Sequence, residues 1–276
     1  TMPFPMLGKE RRIYLHKQKN NLKERVYSII SILFPKINRL ISIRRNSQVF
    51  KTYLNVVDKL CFLSPSYIED VTEYTNIDES RLCCIPNPVE ILDSPSIYKE
   101  NILLFVGRQS HVDKNVRMFI NVWSKLEQRN PSWRAILVGT GPDLERNMRY
   151  AAKLNLKRME FVGHSKNVKY YYERSKLFCM TSFYEGFPLT LVEAMAEGCV
   201  PIVLNTSGVF SDIIDDGLNG FLIKPFSQKD MVATIQNLMN DDKLLEKTSQ
   251  NTLAKVLSLQ DAQQVCQMWE ELFKNS

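Results

Sequence analysis

The chain has 276 residues, enough to bury a full core and to divide into about two domains. Nothing in the composition suggests disorder, and six cysteines without C-x-x-C spacing beside three histidines argue against a disulfide framework or a zinc site and for a reducing cytosol. No apolar run reaches the ~18 residues of a membrane span and the amino terminus lacks a signal-peptide core, so a cytoplasmic protein is expected. Charge is uneven: residues 1–57 hold twelve Lys and Arg against two Glu, a net +10, which with +6 overall leaves −4 for the rest.

In chain order, residues 12–16 read as a short strand that ends on His16. Leu22, Val26, Ile29, Ile30, Leu33, Ile37, Leu40 and Ile41 then recur at helical spacing, with Lys23, Arg25, Lys36, Arg39, Arg44 and Arg45 among them and a break expected at Pro35. Two readings stay open for this stretch. It forms helices packed on their own sheet with a solvated basic face, or a surface that rests on anionic lipid headgroups at the inner face of the plasma membrane. Nucleic acid is disfavoured as a partner, because no stacking aromatics interleave the basic residues.

A strand is predicted at 58–64, a helix at 65–74 with Ser64 as its cap, and a strand at 81–85, after which Pro86-Asn87-Pro88-Val89-Glu90 breaks the pattern. From Asn101 strands and helices alternate, which predicts a parallel sheet covered on both faces. The strands fall at 102–106, 134–138, 159–162, 177–180, 201–204 and 220–223. Ligands of such sheets bind beyond the carboxyl ends of the strands, which gathers Gly107-Arg108, Gly139-Thr140-Gly141, Gly163-His164 and the segment 185–190 around one crevice. Leu144 stands where a G-x-G-x-x-G fingerprint needs its third glycine, so a nicotinamide-cofactor reading loses its support. Residues 227–276 read as helices, the last carrying Val265, Trp269 and Phe273 at helical spacing.

The nine residues Glu185-Gly186-Phe187-Pro188-Leu189-Thr190-Leu191-Val192-Glu193 join a buried strand to a helix that Gly198 closes. Gly186 lets the backbone approach a ligand, and Pro188 fits a first turn where its missing N–H is not needed. The N–H groups of Leu189, Thr190 and Leu191 are expected to point outward, with the helix dipole, at a phosphate or sugar hydroxyl. Glu193 lies one to two turns into the helix, within reach of a vicinal diol, and Glu185 stays in the loop. Two carboxylates beside such a helix start suit a sugar nucleotide. The E-G-F-P run with a second Glu after seven residues resembles the E-x7-E signature of retaining glycosyltransferases of family 4. Their fold is GT-B, an α/β architecture of two Rossmann-like domains.

The resemblance covers about residues 11–276 and is strongest from Asp58. Ile85-Pro86-Asn87-Pro88 is similar to the segment that ends the family's first domain, and Asn205 stands where an aspartate is often found. It implies a nucleotide-sugar donor-binding domain at 93–258. Residues 1–92 would form a partial acceptor-side domain with a carboxyl-terminal helix at 259–276 packed back on it, because the opening strand, glycine-rich loop and further βα units of a GT-B first domain are not found ahead of His16. Arg108 and Lys114 would neutralise the donor diphosphate, where a fork of donors and a point charge meet the negative charge left on the departing phosphate. Glu185 would orient the sugar, Glu193 would hold the ribose and His16 would face the donor sugar. Gly107, Gly139, Gly163, His164, Gly186, Phe187, Pro188, Leu189 and Thr190 would line the nucleotide, while His111 has no assigned role.

No metal and no resident cofactor is expected. The function implied is transfer of a sugar from a nucleoside-diphosphate sugar to a glycan or lipid-linked acceptor, in cell-envelope or exopolysaccharide synthesis. The alternatives are a nucleotide-sugar-binding module without turnover and a GT-B epimerase, which fits the E-G-F-P loop less well.

Overall fold

Strands buried on both faces are written as continuous apolar runs rather than as alternating ones, and the runs at 102–106, 135–138, 177–180 and 200–204 are buried throughout. The computed structural model describes residues 48–74, 77–90, 98–183 and 185–274. His16, the strand expected at 12–16 and the basic stretch 22–45 lie outside them. The chain divides into two compact units, Thr1–Pro86 with Glu271–Ser276, and Asn87–Glu270.

In the first unit, helical residues 48–54 precede β1 (Leu60–Phe62), α1 (Pro65–Tyr74) and β2 (Leu82–Cys84). The two strands pair in parallel with Leu60 opposite Leu82 and Cys61 opposite Cys83, so the segment is a βαβ unit. Arg81 locks it from the side: its guanidinium donates to the carbonyls of Leu54 (2.7 Å), Val57 (2.5 Å) and Asp58 (2.9 Å). Both strands are shorter than the sequence predicts. Residues 63–64 bend away after β1 and 79–81 form a turn before β2, while the Ile85 N–H still donates to Phe62 O at 2.9 Å; Asp78 caps that turn by accepting from the Ser80 N–H.

The second unit holds β3 (Glu100–Val106), β4 (Arg134–Val138), β5 (Met159–Gly163), β6 (Ser175–Met180), β7 (Val200–Leu204) and β8 (Phe221–Ile223), all parallel. Their order across the sheet is β5-β4-β3-β6-β7-β8. Counted from β3 this is the 3-2-1-4-5-6 order of doubly wound nucleotide-binding sheets. Side chains alternate between two covered faces. Leu103, Phe105, Leu137, Cys179 and Ile202 point to the face packed by α2 (Val116–Leu126) and α7 (Gln228–Asn240), where Phe119, Trp123, Met231 and Ile235 are fully buried. The other face is covered by α4 (Lys169–Arg174), α5 (Leu189–Ala196) and α8 (Asp242–Val256). Further helices among the described residues are α3 (Leu144–Lys153), α6 (Gly208–Ile213) and α9 (Ala262–Lys274), the last of which runs past Glu270. Among the described residues no helix is long and apolar enough to cross a membrane.

Candidate active site at the switch point of the sheet

The strand order reverses between β3 and β6, so the loops that follow them part in opposite directions and leave a crevice. The loop after β3, residues 107–115, and the loop after β6, residues 181–188, face each other there and are joined through the backbone. Phe183 N–H donates to Asp113 O at 2.7 Å, and the Thr181 hydroxyl donates to Lys114 O at 2.9 Å and to Asn115 O at 3.2 Å. Lys114 Nζ meets Glu185 Oε1 at 2.6 Å. Both side chains are largely shielded, 20% and 11% exposed, so the pair is a charge-assisted bond with partial loss of solvent. Two of the expected site residues, 71 positions apart, are thus in direct contact.

Arg108 leaves the end of β3 with its side chain 63% exposed and donates to Asp113 Oδ2 at 2.5 Å. Asp113 was not singled out in the sequence, although it sits five residues beyond Arg108. Its other oxygen accepts the Lys114 N–H at 3.1 Å. Burial alone would raise the Asp113 pKa, but hydrogen bonds from Ser110 and Arg108 outweigh it and hold the carboxyl below its ordinary 3.8. The carboxylate therefore fixes the direction of the guanidinium. Within this loop the His111 N–H donates to Asp143 Oδ2 at 2.9 Å, and burial lowers the His111 pKa against the opposing pull of Asp143.

The glycines divide by cause. A Cβ at Gly139 would stand 2.1 Å from Gly107 O, and one at Gly141 would stand 2.6 Å from Gln109 O. These two glycines let the β3 and β4 loops touch along their backbones, through Gly107 N–H to Val138 O (3.0 Å) and Gln109 N–H to Thr140 O (2.8 Å). Gly163, at φ +76°, turns the chain out of β5, with His164 exposed beside it. At Gly186 a Cβ would meet nothing within 4 Å, and the backbone is not left-handed. The fold therefore does not require glycine at 186.

α5 starts at Leu189, one residue beyond Pro188. The expectation of three outward N–H groups is corrected here: Leu189 N–H donates to Phe187 O at 3.0 Å and Leu191 N–H to Pro188 O at 2.9 Å. The tight first turn consumes them, because the Phe187 and Pro188 carbonyls fold back over the helix start. Of the three, the Thr190 N–H has no such bond among the described residues. Phe187 is half-buried, Pro188 buried and Leu189 exposed.

Glu193, one turn into α5, is exposed and lies on the wall of a cavity of about 390 Å³ that Tyr172, Leu189, Val192, Val168 and Lys166 also line. The Tyr172 hydroxyl donates to Glu193 Oε2 at 2.9 Å. Nothing in the sequence singled out Tyr172; it is the last of three consecutive tyrosines, and only the packing of α4 beside α5 shows which one faces the carboxylate.

A parallel sheet in nucleotide-binding order, with basic side chains, a loop carboxylate and a helical carboxylate at its switch point, defines an α/β protein of the GT-B class. A family model, glycosyl transferases group 1, matches residues 90–255, more than half of the chain, and the chain belongs to that family. It is 33% identical over 180 residues to the lipopolysaccharide core biosynthesis mannosyltransferase LpsB of Rhizobium meliloti, across 61% of this chain and 51% of that one. It is 28% identical over 163 residues to an alpha-1,4-N-acetyl-D-galactosaminyltransferase of Campylobacter jejuni named for a PP-undecaprenol-linked glycan, across 59% and 45%. A structure of TarM from S. aureus in complex with UDP superposes with a TM-score of 0.74 at 23% identity, over 79% of this chain and 44% of that one, and shares its fold. The chain spans about half the length of the curated relatives it matches.

Proposed function

We propose that the protein is a retaining glycosyltransferase that moves a sugar from a nucleoside diphosphate to a glycan or lipid-linked acceptor in cell-envelope or exopolysaccharide synthesis. The observation that carries this reading is the contact of Lys114 with Glu185 at the switch point, beside Arg108. An ammonium has three donors and a carboxylate four acceptor positions, so Lys114 can keep Glu185 and still take a phosphate oxygen, and Glu185 can keep Lys114 and still accept from a sugar hydroxyl. Arg108, aimed by Asp113 and exposed on its outer side, offers further N–H donors to the diphosphate. Charge developing on the leaving phosphate would then meet two fixed cations and the N-terminus of α5, which is the electrostatic work this chemistry asks of a protein. Glu193 takes the ribose diol from its place on the cavity wall.

In this reading residues 93–258 serve the donor and residues 1–92, with the helix at 259–276, serve the acceptor side. The basic amino-terminal stretch rests on anionic headgroups near a lipid-linked acceptor. The relatives support the acceptor class: one is named for lipopolysaccharide core synthesis and one for an undecaprenol-linked glycan.

The test is release of nucleoside diphosphate from UDP-, GDP- and ADP-sugars with and without a cell-envelope lipid and polysaccharide fraction. Release that requires the fraction, with sugar incorporated into it, is the expected result. Donor binding without release under every condition would replace the enzyme by a nucleotide-sugar-binding module.

A further inference from the structure

Glu193 is exposed on a short helix, and an exposed glutamate samples many rotamers, so something must choose the one that meets a diol. Tyr172 is built to do this. Its residue is 3% exposed and its ring packs edge-on against Phe178 of β6 at 6.2 Å between centroids. Its carbonyl accepts from Lys99 Nζ at 2.9 Å and from the Cys199 thiol at 3.1 Å, which anchors the backbone end of the same residue. Ring and backbone are therefore held, and the hydroxyl, on the wall of the cavity that Glu193 shares, reaches Glu193 Oε2 at 2.9 Å. A rigid donor on a fixed strand-and-helix layer thus grips a mobile carboxylate by one oxygen. Oε1 and the remaining lone pair of Oε2 stay available to two hydroxyl donors.

We propose that Tyr172 is a positioning residue that holds Glu193 in the orientation that receives a vicinal diol, and so sets the preference of this site for ribose over deoxyribose nucleotides. The inference rests on the assignment of Glu193 to the ribose. Burial and the neighbouring carboxylate both raise the phenol pKa, so the hydroxyl is protonated and a donor at neutral pH. Tyr172→Phe removes only the hydroxyl and keeps the ring that packs on Phe178, so the fold is expected to be retained, which fluorescence of buried Trp123 and Trp133 checks.

The experiment measures, by calorimetry, the affinity of UDP, GDP and ADP and of their 2′,3′-dideoxy analogues for wild type, Tyr172→Phe, Glu193→Gln and the double variant. For whichever ribonucleotide binds, Tyr172→Phe should lose about five- to twentyfold, with the dideoxy analogue changed less than twofold. The double variant should be no weaker than Glu193→Gln alone, because the phenol acts through the carboxylate. With a turnover assay, the donor KM should rise with kcat at saturating donor unchanged. Equal losses for ribose and dideoxyribose ligands, or additive losses in the double variant, would overturn the positioning role. If Glu193→Gln itself fails to separate the two ligand series, the ribose assignment falls first, and that result is distinct from a failure of Tyr172 alone.

Discussion

Three glycines at strand ends and loop turns separate what the fold needs from what a ligand needs, and alanine at each gives a different outcome. At Gly139 the backbone sits at φ +128°, and a Cβ would stand 2.1 Å from Gly107 O and 2.9 Å from Gly107 C. These are backbone atoms, so the clash cannot be relieved by a rotamer, and the two loops must part by more than about 1 Å to reach ordinary contact. Parting them stretches the bonds Gly107 N–H to Val138 O and Gln109 N–H to Thr140 O, now 3.0 and 2.8 Å. Backbone strain of about 1–3 kcal/mol and two weakened hydrogen bonds at about 1 kcal/mol each give a cost of roughly 3–5 kcal/mol for Gly139→Ala. Gly163→Ala meets no atom and carries the left-handed penalty alone, about 1–2 kcal/mol. Gly186→Ala meets neither obstacle and should stay within about 0.5 kcal/mol of wild type, yet weaken nucleoside-diphosphate-sugar binding. Urea unfolding followed by the buried Trp123 and Trp133 measures the first two through the midpoint at constant slope. A Gly139→Ala protein within about 1 kcal/mol of wild type would refute the contact argument, and a Gly186→Ala protein with full donor affinity would remove the ligand from that loop.

Arg108→Ala should weaken nucleoside diphosphates about ten- to a hundredfold and leave the free nucleoside unchanged; calorimetry with equal losses for both would take Arg108 off the diphosphate. Asp113 has a folded pKa below its unfolded 3.8, so its contribution to stability is complete above that pH and is lost as pH falls through the lower folded value. The acid limb of the stability curve should therefore be shallower in Asp113→Asn than in wild type, and parallel limbs would show that the Arg108 and Ser110 bonds do not persist in solution. Cys61 and Cys266 are both exposed, but partial burial and the neighbouring Cys83 Sγ push the Cys61 thiol up to about 12. Iodoacetamide at pH 8 should therefore modify Cys266 and spare Cys61 in the folded protein, as peptide mapping would show; equal labelling would contradict the pairing.

The alternation of apolar runs and turns was sufficient to place β4 at 134–138 and to bring the other strands of the large sheet within two residues, because a strand buried on both faces must be apolar throughout. It fell short at the start of β3, where polar Glu100 still joins the ladder opposite Ser175, since a strand end needs only backbone partners and Glu100 is held by Arg134 and Arg174. The E-x7-E spacing and the strand-end positions of Arg108 and Lys114 were likewise legible, since local chain geometry alone puts such residues at a helix start or beyond a strand. What pairs with what was not. The contact of Lys114 with Glu185, the grip of Asp113 on Arg108, the occupied N–H groups at Leu189 and Leu191, and the reach of Tyr172 to Glu193 depend on how separate βα units settle against one another. Periodicity carries the direction of a side chain relative to its own strand or helix; the distance between side chains on different elements is set only when the sheet order and the helix layers have closed.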